Sequence, residues 1–164
     1  MATLPAPRHR HIPLREVPVA LPHTVLPDAN WADAFEVQTS KSFASMRALA
    51  SQTIGSMPGW ARVLLKLRNI LVVPFGLKAD GRKEAEDRID IFPVLEETHD
   101  QIVLGLDDRH LDFRIVVECF AQEHGNRVRA TTLVTRHNLF GRLYIAAVTP
   151  FHRTIVQSVL RRAL

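Results

Sequence analysis

The chain has 164 residues, 46% hydrophobic and 23% charged, a net charge of +4 and one cysteine. That is enough for one domain with a sound core of its own, in the ordinary globular range of composition. A lone cysteine, Cys119, excludes an internal disulfide framework, scattered arginines without interleaved aromatics argue against nucleic-acid binding, and no apolar run is long enough to span a bilayer. The basic N-terminus is followed by no apolar stretch of the kind that makes an export signal. With no paired cysteines either, the expected location is the cytoplasm.

Six of the ten prolines fall in residues 1–27. Proline removes a donor and fixes φ, so this part reads as an extended arm rather than a helix or an inner strand. It is either a solvated tail or a segment laid on the body through Val17, Val19 and Leu21. Arg8, His9, Arg10 and His11 can attract an anionic surface. The rest, residues 28–164, reads as a single domain.

Residues 31–37 form a first strand, with Trp31, Asp33, Phe35 and Val37 on one side. Ser40 can cap a helix reaching Thr53, with Phe43, Met46, Leu49 and Ala50 as its buried stripe. Gly55 ends it. Ser56 and Pro58 open a second helix carrying Trp60, Val63, Leu64, Leu67 and Leu71, which must stop before Pro74. Residues 79–88 are charged and read as a loop. Residues 89–95 are the next strand, and Thr98, His99 and Asp100 make a corner.

The richest stretch is residues 101–135. Ile102, Leu104 and Leu106 fall on one side; then Leu111, Phe113, Ile115, Val117 and Cys119 share a face opposite His110, Asp112, Arg114 and Glu118, with Val116 among the latter. A tight corner at Asp107-Asp108 would pair Leu104 with Leu111 and Ile102 with Phe113. A second corner at Gly125-Asn126 would pair Cys119 with Thr132 and Val117 with Val134. Both choices give one apolar face. Beyond His137 and Asn138 the chain reads as helix to the end, with a kink near Pro150. Its stripe is Phe140, Tyr144, Ala147, Phe151, Ile155 and Val159. The expected fold is α+β: a curved antiparallel sheet gripping a long C-terminal helix, with two short helices after the first strand.

The polar row Asp108, His110, Asp112 and Arg114, with His137 opposite Arg114, is a candidate for chemistry. A carboxylate beside an imidazole fixes its tautomer and raises its basicity, as a general base requires. His110 and Asp112, with His137, are the catalytic candidates. The same register puts the row opposite the apolar face, where it would equally serve as a solvated face laced with ion pairs. A spacing of two along a strand is no recognised metal motif, so no metal is expected. Arg68 and Asn69 at a helix end, with His152, can bind an anionic group or tie loop carbonyls. No phosphate loop, zinc spacing or serine-hydrolase order is present.

The order of elements resembles the helix-grip fold of the START-like superfamily, known as SRPBCC, which includes polyketide cyclases and lipid carriers. PGWARVLLKLRN at residues 58–69, VPFGLK at 73–78, LGLDDRHLDFR at 104–114 and TRHNLFGRLYIAAVTPFHR at 135–153 are similar to a bacterial family known only as a domain of unknown function. In some proteins that domain follows an NmrA-like short-chain dehydrogenase domain. This chain has no Gly-x-Gly-x-x-Gly of its own, so no dinucleotide cofactor is expected and a dehydrogenase-like protein would be a separate partner. The resemblance implies a cavity between sheet and C-terminal helix. Its wall would comprise Phe35, Trp60, Leu104, Leu111, Phe113 and Val134, with Tyr144 and Phe151 from the helix and Tyr144 as polar handle. It also implies the leading functional expectation, carriage of a small hydrophobic molecule. The alternatives are a small cyclase, isomerase or lyase using His110 and Asp112, and a module docking on a dehydrogenase-like protein.

Overall fold

The structure is a computed structural model and describes residues 14–55, 59 and 87–164. Apart from Gly59, the expected second helix, with Trp60, Arg68 and Asn69, lies outside the described residues, as do Arg8 to His11 and most of the charged loop. In chain order the elements are β1 (Arg15–Glu16), β2 (Trp31–Thr39), α1 (Met46–Gly55), β3 (Arg88–Ile89), β4 (Phe92–Glu97), β5 (Gln101–Asp107), β6 (Leu111–Gln122), β7 (Gly125–Arg136) and α2 (Leu139–Ala163). Among the described residues the strands form one curved antiparallel sheet in the order β1-β2-β7-β6-β5-β4-β3, open at its edges.

Alternation fixes the two faces, but both hairpin corners differ from expectation. Asp107 pairs with Asp112, so the first corner spans 108–111, Leu104 meets Ile115, and Ile102 meets Val117. The Asp108 N–H donates to the Leu111 carbonyl at 3.0 Å and to Asp112 Oδ1 at 3.1 Å, which steadies the wider loop. At the second corner Gln122 pairs with Gly125, so Cys119 meets Val128 and Val117 meets Ala130. Gly125 has φ of +122°, and a Cβ there would run into the Thr39 carbonyl. Only glycine takes that conformation freely. Each slip is even, so every side chain keeps its expected face although its partner changes.

The inner face is built in rows across the sheet. Trp31, Val134 and Phe113 stand abreast; then Asp33, Thr132 and Ile115; then Phe35, Ala130 and Val117. The third row belongs to the main core, which α1 covers through Met46, Leu49, Ala50 and Ile54 and α2 through Leu160. The first row belongs to a smaller cluster with Leu111, Ile145 and Tyr144. Fully buried side chains such as Phe35, Leu49 and Leu104 each contribute about 1.5–3 kcal/mol. The cap of α1 is Ser45, whose Oγ accepts the Ala48 N–H at 3.1 Å, and not Ser40.

Helix α2 runs unbroken through Pro150. Up to His152 its buried side is rotated by one residue from the expected stripe, whereas Val159 is buried as expected. Gly141, Ile145, Val159 and Leu160 are buried and His152 is half-buried, whereas Phe151 is 51% exposed. One residue is about 100° of rotation. The rotation follows from how the helix is held at its ends. A Cβ on Gly141 would collide with the His110 carbonyl, so the helix presents its smallest residue to the β5–β6 corner. Asn138 caps it there by accepting the Gly141 N–H at 3.0 Å. At the other end Lys41 Nζ donates to the Ala163 carbonyl at 2.9 Å and Thr39 Oγ1 to the Leu164 carbonyl at 3.2 Å, satisfying carbonyls that a helix end leaves free.

The arm from Leu14 onward lies on the sheet. β1 adds a short edge strand to β2. Leu26 and Ala29, with Val19 and Val25, cover Val103, Val116 and Leu133 on the outer face. Leu21, in contrast, is exposed. The arm therefore dries the apolar patch to which Val116 belongs on the outer face.

Candidate functional site

Between the two apolar clusters of the inner face lies a polar row. Period-two alternation in β2 turns Asp33 inward between Trp31 and Phe35, and antiparallel pairing sets Thr132 of β7 opposite it. The rotation of α2 lowers His152 onto the same spot. His152 Nε2 stands 3.0 Å from Thr132 Oγ1 and 3.3 Å from Asp33 Oδ1. The indole of Trp31 meets the imidazole edge-on, with ring centres 6.0 Å apart. Asp33 is 4% exposed.

Facing a carboxylate, Nε2 carries the ring proton and donates it. Nδ1 has no hydrogen-bond partner among the described residues. The second carboxylate oxygen, Asp33 Oδ2, is buried and has no hydrogen-bond partner there either. A buried polar atom left unmatched costs about 1–3 kcal/mol. Two other buried side-chain atoms are bare, Arg127 Nε and Thr135 Oγ1, but strand alternation turns both to the outer face. The inner face thus offers an acceptor oxygen, a hydroxyl and an imidazole within a greasy surround. It can bind a donor group or hold a proton.

The expected catalytic row takes a different place. Asp112 and His137 do meet, with Oδ2 and Nε2 3.0 Å apart, at the partly exposed rim of the β5–β6 corner. His137 is not opposite Arg114, which pairs with Leu133. Its own N–H donates instead to the His110 carbonyl at 3.0 Å. His110 lies in the corner and not on a strand. Asn138 spends its amide oxygen on the helix cap, so its Nδ2 donates to His110 Nδ1, at 2.9 Å. The His110 ring also packs on Phe140, 4.9 Å between centres. Asp108 contributes its backbone to the corner, and Arg114 pairs with Asp107 at 2.5 Å. These residues join the corner to the start of α2. Among the described residues no three histidine, cysteine or acidic side chains cluster as a metal site.

Of the expected wall, Phe35 and Leu104 lie in the main core, and Leu111, Phe113, Val134 and Tyr144 in the smaller cluster. Phe151 stands outside, for the rotation given above. Asp33 and Thr132 were not anticipated as site residues. The signal was there in Trp31, Asp33, Phe35 and Val37, where a carboxylate interrupts an otherwise apolar row. Cys119 shares the inner face, and burial pushes its thiol upward from the ordinary value, away from the reactive thiolate.

A long helix over an open antiparallel sheet, with a buried polar row between them, defines an α+β protein of the sheet-and-helix type. The chain belongs to the family described as Protein of unknown function (DUF2867), whose model matches residues 25–159. No curated protein and no solved structure matches it. Among the described residues no helix is long and apolar enough to cross a membrane.

Proposed function

We propose that this chain binds a small, largely apolar molecule between the inner face of the sheet and α2. The observation that carries the reading is the bare Asp33 Oδ2, buried between two apolar clusters and beside His152 and Thr132. A core built for stability alone would pair or remove such an atom. A bound molecule would complete it. The reading accords with the resemblance to the helix-grip, START-like superfamily, whose plan leaves such a volume. It is preferred to acid–base chemistry by His110 with Asp112, because Nδ1 of His110 is engaged by the α2 cap and Asp112 pairs with His137 instead. Docking of a partner through the arm is disfavoured from Leu14 onward, where the arm is occupied in covering the sheet.

The test is paired native and denaturing mass spectrometry of freshly purified protein, with a titration of 1-anilinonaphthalene-8-sulfonate. A small molecule lost on denaturation, or saturable dye fluorescence from the folded protein, is expected. A clean apo mass together with no saturable dye binding would sink the reading.

A further inference from the structure

Resting on that reading, the bare oxygen also narrows the kind of molecule. We infer that the ligand carries a neutral hydroxyl or N–H group that donates a hydrogen bond to Asp33 Oδ2. A carboxylate oxygen only accepts. Oδ1 already faces His152 Nε2 at 3.3 Å, while Oδ2 faces no donor among the described residues. Thr132 Oγ1 and His152 Nε2 are engaged with each other at 3.0 Å, so Oδ2 is the buried carboxylate oxygen of the row that lacks a donor among the described residues.

The surroundings set the rest of the molecule. Trp31, Phe113 and Val134 flank the row on one side, Phe35 and Ala130 on the other. These neighbours are apolar, so the rest of the ligand is an apolar body with its donor at one edge. An ether, ester or carboxylate would set a second acceptor against Oδ2 and leave both unsatisfied. An ammonium group would have to shed its hydration to reach an oxygen with no open surface, at a cost of the kind that burying any charge incurs. A neutral donor meets the geometry without either penalty.

The test is calorimetric titration of the full chain with 2-naphthol and with 2-methoxynaphthalene, which share a ring system and differ in the donor. In the wild type the naphthol binds about tenfold more tightly or better. In Asp33→Asn that ratio falls to about threefold or less, because an amide offers either role. Each ratio compares two ligands on one protein, so partial loss of folding cancels. The naphthol also shifts the carboxyl ¹³C resonance of Asp33 in the wild type, a readout that needs no variant. Equal binding of both ligands to the wild type overturns the donor requirement and leaves the apolar site standing. A ratio preserved in Asp33→Asn, or an unmoved Asp33 resonance, overturns the assignment to this carboxylate. Binding of neither overturns the apolar site and the inference with it.

Discussion

Two carboxylates on β2, Asp33 and Glu36, are equally buried, at 4% and 3% exposure, and are treated in opposite ways. Glu36 faces outward. Its Oε1 accepts from Arg129 Nε at 2.7 Å and its Oε2 from Arg15 at 3.1 Å. The pairs line up across neighbouring strands, Arg15 beside Glu36 and Glu36 beside Arg129. Burial alone would raise the Glu36 carboxyl, but the hydrogen bonds from Arg129 and Arg15 outweigh it and hold it below the ordinary 4.5. Asp33 faces inward and has one imidazole on one oxygen and, among the described residues, no hydrogen-bond partner on the other. The difference separates a carboxylate that completes the fold from one that the fold leaves incomplete.

Removing the support of Glu36 is the sharpest way to break this comparison. Arg129→Met strands a buried charge and is expected to cost about 2–3 kcal/mol at neutral pH in urea unfolding. That is below the usual range for a broken buried pair, because Arg15 remains and Arg129 is partly hydrated. Arg129 also lies over the Phe120 ring, at 5.6 Å. Because the folded-state carboxyl is held low, its contribution is present above the ordinary value and lost as pH falls through the lowered one. The gap between wild type and variant should therefore close as pH drops below 4.5. A constant gap from neutral to acid pH would show that Glu36 is not its source.

Gly141→Ala acts on the inner face alone. Its Cβ would strike the His110 carbonyl, so the start of α2 must lift. A loss of about 1–2 kcal/mol is expected, the usual scale of overpacking, together with a changed His152 imidazole resonance. An unshifted resonance would mean that the depth of α2 is not set at Gly141. The smallest effect is expected from Asp33→Asn. No ion pair with a guanidinium is lost, so stability should change by less than about 1 kcal/mol and can rise. A loss matching that of Arg129→Met would place Asp33 among the structural carboxylates and erase the contrast.

Much of this was legible in the sequence. Alternation in residues 31–37 and 101–135 was enough for the strands, their antiparallel order and both faces, because side-chain direction depends only on parity along a strand. It did not decide the corners. The Asp and Gly-Asn signals lay close to both, but loop length is fixed by contacts at a distance, such as the Thr39 carbonyl against Gly125. The helix was clear and its buried side was not. Phe140 and Phe151 outweigh Gly141 and His152 in any reading by hydrophobicity.

The sequence by itself determined the α+β class, the inward direction of Asp33 and the outward direction of Glu36, since these are local matters of periodicity. Only the tertiary structure decided what each carboxylate meets. Arg129 is 93 residues from Glu36 and His152 is 119 from Asp33. Both meetings depend on sheet pairing, and the second also on the rotation of α2. That rotation is set where a glycine lets the helix approach a carbonyl, a steric fact that no hydrophobic pattern records.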